Sequence, residues 1–199
     1  MTLMTRAVLV ATVLFVLTGT AAASLWTPWK HHNHGSSGHA YLRDTFGAKS
    51  VVTSAATAGF RQARNVPHEW GQGGAGFGKR FASAFGTHVV NNSIRYSVAG
   101  IRHEELGYTP SGKQGFLPRL KYALESTVIT HKTTTGEKTI AAGNISGAFG
   151  SGLISRAWQP ASTGSLASGI GSGGVMLGVD AATHVAREFW PHHHHPSTG

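Results

Sequence analysis

TIAAGNISGAFGSGLISRAWQPASTGSLASGIGSGGVMLGV, residues Thr139–Val179, decides the fold. Of its 41 residues 23 are Gly, Ala or Ser, and Arg156 is the only charge. It reads as two helical runs, Thr139–Ala157 and Ser162–Val179, joined at Trp158-Gln159-Pro160. Gly143, Gly147, Ser151 and Ser155 recur every fourth residue and so share one helix face. Such a hairpin packs backbone against backbone, in a protein core or in a bilayer. Its arms are 18 or 19 residues long and include Asn144, with ten glycines and seven serines across the stretch. That apolar content is thin for hydrocarbon. The hairpin is therefore expected at the centre of a packed helical domain, with membrane insertion as the second reading.

Working outward, Phe77–Leu106 reads as a long helix with two stripes. Phe77, Phe81 and Phe85 form a bulky one; Gly74, Gly78, Ala82 and Gly86 form a small one, a natural partner surface for the hairpin. Val90, Ile94, Val98 and Ile101 continue the apolar face, and Gly107 is the expected C-cap. Upstream, Tyr41–Asn65 reads as a helix placing Leu42, Phe46, Val52, Ala56, Gly59 and Ala63 on one face, with Arg61 and Arg64 complementing its C-terminal dipole and Pro67 closing it. Downstream, Pro118 suits the first turn of a helix over Leu117–Lys132 with Leu117, Leu120, Leu124 and Val128 inward. Thr127–Thr135 is β-branched and is the one candidate for strand. The expectation is an all-α bundle of about five helices with Gly/Ala/Ser-rich close packing.

The chain has 199 residues, 17 Lys and Arg against 8 Asp and Glu, and no cysteine. Arg6, the apolar run Ala7–Leu17 and Ala21-Ala22-Ala23 have the form of a signal peptide over residues 1–23, too short to span a bilayer comfortably. Residues 24–40, with Trp26-Thr27-Pro28-Trp29, His31-His32-Asn33-His34 and Gly35-Ser36-Ser37-Gly38, read as a flexible leader. A single helical domain then spans 41–191, and 192–199 is a His-rich tail. Without cysteine there is no disulfide, thiolate metal site or lipid-modified N-terminus. The expected location is the periplasm or cell envelope. The basic balance points to anionic lipid or an envelope polymer as partner. Nucleic acid is disfavoured, since no basic cluster interleaves with aromatics.

Several phrases recur in a fixed order: Trp70-Gly71 with Gly76-Phe77-Gly78-Lys79-Arg80-Phe81; His103-Glu104-Glu105 with Tyr108; Pro118-Arg119 with Tyr122-Ala123-Leu124; Ala142-Gly143-Asn144; and Arg187-Glu188-Phe189-Trp190-Pro191. Together, from about Gly47 to Pro191, they resemble a family of uncharacterised exported proteins of acidobacteria and other soil bacteria. Its members read His-acid-Asp-Pro-Arg-Tyr where this chain has His103-Glu104-Glu105-Leu106-Gly107-Tyr108, so the Pro and Arg of that turn are missing here. The resemblance implies location and fold type and carries no activity.

Chemistry-bearing motifs are few. Gly73-x4-Gly78-Lys79 lacks both the preceding strand and the Ser or Thr of a phosphate-binding loop, because Arg80 follows the lysine. A weaker expectation is an anion held by N–H groups at a helix start, with Gly76, Gly78, Lys79 and Arg80. Asp180, His184 and Glu188, four apart, share a helix face and are candidate metal ligands. The alternative is that the two carboxylates pair with arginines such as Arg156 or Arg95. Arg156 and Asn144 are expected to be structural polar positions, and His103 and Glu104 are grouped with them. No GxSxG, HExxH or ExxH pattern occurs, so no catalytic residue is assigned and no cofactor is implied. The His31–His34 and His192–His195 tracts are loose chelators at most. The expected role is that of a structural or interaction protein of the envelope, on or partly within a membrane. The alternative is a helical ligand- or metal-binding protein or hydrolase using His103, Glu104, Arg156 and Asp180.

Overall fold

The computed structural model describes residues 37–190; the segment expected as a signal peptide, most of that expected as a leader, both histidine tracts and the expected tail lie outside the described residues. The fold is all-α. In order come α1 (Ser37–Phe46), α2 (Ala48–Ala63), a 3-10 turn (His68–Trp70), α3 (Gly73–Arg102), α4 (Phe116–Glu125), β1 (Ile129–His131), β2 (Lys138–Ile140), α5 (Ala142–Ile154), a second 3-10 turn (Ser155–Trp158) and α6 (Leu166–Phe189).

The first arm of the uncharged hairpin, α5, is the centre, while the second arm, in α6, covers it and leaves Leu166, Ile170 and Val175 exposed. Helix α5 lies between α3 and α6, α1 and α2 pack on α3, and α4 packs on α6. On the α3 side, a Cβ at Gly143 would sit 2.9 Å from the Arg95 carbonyl oxygen, and one at Gly147 would sit 3.0 Å from that of Asn91. On the α6 side, a Cβ at Gly173 would meet Phe149 Cα at 2.9 Å. Only glycine permits these approaches. Ser151 and Ser155, further along the same stripe, are buried and return their hydroxyls to the carbonyls of Ala148 and Gly152.

The partner stripe on α3 is not the expected one. Gly143 and Gly147 meet Asn91, Arg95 and Ala99, whereas Gly74 and Gly78 face open space and Phe77 is exposed. Phe81 and Phe85 stack on each other at 6.0 Å, and Phe46 covers Phe85 at 6.2 Å.

Other boundaries moved for local reasons. The predicted Tyr41–Asn65 helix is two, broken at Gly47, where a Cβ would collide with the Arg43 carbonyl oxygen. Helix α1 begins at Ser37, within the last residues of the segment expected as a leader. The C-cap of α3 is His103, left-handed at φ 55°, rather than Gly107. Helix α4 stops at Glu125, and the β-branched segment after it does form strand, Ile129–His131 pairing antiparallel with Lys138–Ile140.

The largest departure is in which faces are inward. Fully buried hydrophobic residues are Ala58, Ala99, Tyr108, Ala123, Ala141 and Ala148; the largest fully buried side chains include Arg80, Glu188 and Thr45. Leu42, Phe46 and Val52, expected inward, are exposed, and Thr45, Ser50, Ser54 and Ala58 take their place. On α4 most of the predicted core stripe faces out: Leu117 is 73% exposed and Leu124 48%, with Phe116 beside them at 63%; Leu120 is half-buried, and Val128, 41% exposed, lies in the turn beyond the helix. Ala123 is the α4 residue that faces in.

Candidate functional site

The polar residues singled out in the sequence are distributed over three hydrogen-bonded hubs rather than gathered at one centre. The first is Arg80, fully buried on α3. Its Nε donates to the Val66 carbonyl at 3.0 Å, Nη1 to Gln62 Oε1 at 2.5 Å and the Gly71 carbonyl at 2.7 Å, and Nη2 to the Pro67 carbonyl at 2.7 Å and Asn65 Oδ1 at 3.4 Å. A guanidinium has five N–H donors, and all five are occupied. Gly76 lies against this knot, where a Cβ would strike the Gly71 carbonyl oxygen. Arg80 therefore anchors the end of α2 and the following loop, and offers no N–H to an external anion. Of the expected anion group, Lys79 and Gly78 are exposed and Gly76 and Arg80 are structural.

Glu104 is the second hub. It is buried just after α3, where Oε1 accepts from Arg102 Nε at 2.6 Å and Oε2 accepts from the Gly143 N–H at 2.8 Å. A carboxylate there satisfies an orphan N–H at the positive end of the α5 dipole. The turn is held further by Glu104 bridging to Lys132, and by the His103 carbonyl accepting from Thr133 N at 2.8 Å. His103 and Glu104 thus dock the β-hairpin and the start of α5.

Glu188 forms the third. It accepts from Tyr108 Oη at 2.5 Å, the Ser111 N–H at 2.9 Å, the Ser111 hydroxyl and Arg119 Nε at 3.2 Å. Burial alone would raise its carboxyl, but the bonds from Ser111, Tyr108 and Arg119 outweigh it and hold the group down to about 2. Four residues from three phrases of the resemblance, Tyr108, Arg119, Tyr122 and Glu188, converge here, with Tyr122 tilted against Tyr108 at 6.1 Å. They lock the loop before α4 to the end of α6.

His184 stacks on Tyr108 at 4.4 Å and presents Nδ1 to Ser126 Oγ at 3.0 Å. Burial, then the nearby Arg187 and Arg95 charges, push it down to about 4. Asp180 faces Arg95, Lys49 and Arg187, and burial raises its carboxyl against their pull. The expected metal set is therefore not assembled: Glu188 is committed to four donors and His184 to Ser126. Among the described residues no group of three or more His, Asp or Glu is placed to hold a metal ion. The alternative pairing is right in kind for Glu188, but its arginine is Arg119. Arg156 instead donates to the Gly164 carbonyl at 2.8 Å, closing the turn into α6. The Arg95 Nε and Asn144 Oδ1 are buried without a hydrogen-bond partner among the described residues.

His103, Glu104, Arg156 and Asp180 do not form one polar site. Glu104 sits at the first turn of α5 and Arg156 beyond its last, roughly 20 Å apart at 1.5 Å per residue.

The feature that sequence reasoning missed is the outward face of α4. Phe116 leans on Phe189 at 5.1 Å, and Arg119 lies over the Phe189 ring at 4.5 Å. Trp190, exposed, ends α6 alongside. Lys113 caps the Tyr122 ring at 5.2 Å, and Lys121 reaches Glu125 only at 3.6 Å across an exposed i,i+4 pair. The exposed apolar side chains of α4 are thus flanked by Lys113 and Lys121 and closed by Phe189 and Trp190. The signal was not legible in the sequence, because periodicity groups Leu117 and Leu124 on one face without saying whether that face is covered. Compared with family models, curated proteins and solved structures, the chain matches none.

Proposed function

We propose that this chain is an exported interaction protein of the cell envelope that docks α4 on an anionic membrane surface. The observation that carries the reading is the outward set Phe116, Leu117 and Leu124 on α4, with Val128 exposed in the turn after it, on a helix tied to α6 through Arg119 and Glu188. A globular protein normally buries such residues; here the most buried positions are mainly alanine, glycine and polar groups, and many large apolar side chains are exposed. Among the described residues no helix is long and apolar enough to cross a membrane. The stripe is suited to lying in the head-group plane, with Trp190 at the interface and Lys113 and Lys121 toward anionic lipid. The net charge of +9 and the signal-like first 23 residues support the same location.

The test is flotation with vesicles of 3:1 phosphatidylcholine and phosphatidylglycerol, compared with phosphatidylcholine alone. The protein is expected to float with the anionic vesicles and to be partly released by high salt. The triple change Phe116→Ser, Leu117→Ser, Leu124→Ser should abolish flotation while the far-UV circular dichroism is unchanged, since all three side chains are exposed. No flotation of the unaltered protein, or flotation indifferent to the triple change, overturns the reading.

A further inference from the structure

A second surface, independent of the α4 stripe, lies where the two 3-10 turns approach α3. Trp70 from the first turn and Trp158 from the second wall an open cleft of about 440 Å3, floored by Ala82, Ser83 and Gly86 and edged by Lys79. By contrast, the cavity beside Tyr108 is about 50 Å3, room for little more than water.

Both walls are built before any ligand arrives. Arg80 holds the Trp70 turn from below through the Pro67 and Gly71 carbonyls. Trp158 Nε1 donates to Ser83 Oγ at 3.1 Å, and the edge of its ring passes Gly86, where a Cβ would stand 3.9 Å from Cζ2. The first turn is also tied to the loop that follows the second, Ser162 donating its hydroxyl to Glu69 Oε2 at 2.8 Å. Trp158 nevertheless keeps 39% of its surface exposed.

The lining limits what can bind. The Ser83 hydroxyl accepts from Trp158 and keeps its own O–H to donate, so recognition rests on two indoles, this buried hydroxyl and one ammonium. Lys79 forms no ion pair or hydrogen bond among the described residues. An open cleft leaves one side of its occupant wet, so a wholly apolar ligand gains little there. A pyranose ring fits this chemistry: its C–H face stacks on indole while its hydroxyls stay in water. The free ammonium selects for a carboxylate on that ring. We infer that the Trp70–Trp158 cleft is a binding site for an acidic saccharide, its sugar faces on the indoles and its carboxylate at Lys79.

Calorimetric titration of the full chain with tetragalacturonate, cellotetraose and poly-L-glutamate tests this. Tetragalacturonate is expected to bind saturably and at least about tenfold more tightly than cellotetraose, with Lys79→Gln removing most of that preference. Trp70→Ala and, as a variant that leaves both indoles anchored, Ala82→Leu at the exposed floor should each weaken binding at least about tenfold with the melting temperature preserved for Ala82→Leu. Absence of tetragalacturonate binding overturns the inference. So does poly-L-glutamate binding equally well, or affinity unmoved by Ala82→Leu. Vesicle flotation is read separately, and neither result depends on the other.

Discussion

Gly152 of α5 and Gly169 of α6 meet backbone to backbone, each standing where the other's side chain would go. A Cβ on Gly169 would lie 3.0 Å from the Gly152 carbonyl oxygen, and one on Gly152 would run into the Gly169 carbonyl. Since neither obstacle is a side chain that can swing away, Gly152→Ala should separate the helices and cost about 1–3 kcal/mol. Gly78→Ala is the contrasting case: its position in α3 opens on nothing within 4 Å. Replacing a helical glycine there should stabilise by about 0.5–1 kcal/mol. Thermal melts of the two variants moving in the same direction would refute this division of the glycines.

Arg80→Lys is predicted to be far from conservative. An ammonium has three donors where the guanidinium uses five, and it cannot reproduce the planar fork that reaches Val66, Pro67 and Gly71 together. At least two buried acceptors lose their partner, so the loss should be about 2 kcal/mol or more by urea unfolding. A lysine variant as stable as the parent would show that the knot is ornamental.

Acid should weaken the fold in two stages. His184 is held neutral, its folded value of about 4 lying below the unfolded 6.5, so its contribution is complete above 6.5 and is lost as pH falls toward 4. Glu188 is held ionised, folded at about 2 against an ordinary 4.5, so its contribution is complete above 4.5 and is lost as pH falls toward 2. The second stage is on the order of 1–3 kcal/mol. His184→Phe, which keeps the stack on Tyr108, should remove the upper stage alone from a stability-against-pH curve; Glu188→Gln should remove the lower. A curve flat between pH 7 and 5 in the parent protein would contradict the His184 assignment.

Glu104→Ala removes the acceptor of the Gly143 N–H and the negative charge at the start of α5. A loss of about 1–2 kcal/mol is expected, by analogy with losing a helix cap. Glu104→Gln, keeping an acceptor without the charge, should lose less. Amide exchange at Gly143 is the local readout: it should accelerate most in the alanine variant, and unchanged exchange there would exclude the capping role.

The central hairpin was legible because its composition admits only one kind of contact. Gly143 and Gly147 cannot pack through side chains, so their spacing already states a close approach. What the approach was made to could not be read the same way. Asn91, Arg95 and Ala99 carry no repeated small-residue signature, whereas Gly74 and Gly78 do and face open space. The inversion of α4 was hidden for a related reason. Periodicity shows that Leu117, Leu124 and Val128 share a face, but not which side of the helix the rest of the chain covers. Arg80 and Glu188 stood out as charges; their burial became visible only when loops distant in sequence supplied five acceptors to one and four hydrogen bonds to the other. Lys79 and Arg80, adjacent in the chain, end on opposite terms, one in solvent and one in the interior.

An interior of glycine, alanine and hydrogen-bonded polar groups also alters how stability responds to temperature. Apolar surface newly wetted on unfolding raises heat capacity, and polar surface lowers it. Here Leu117, Ile101 and Val175 are already wet in the native fold, and Arg80, Asn92 and Glu188 are among the groups that unfolding would wet. The heat-capacity increment should therefore fall below the usual ~12–15 cal/mol/K per residue. The stability curve is correspondingly broad and shallow, set more by directional bonds than by water's aversion to hydrocarbon.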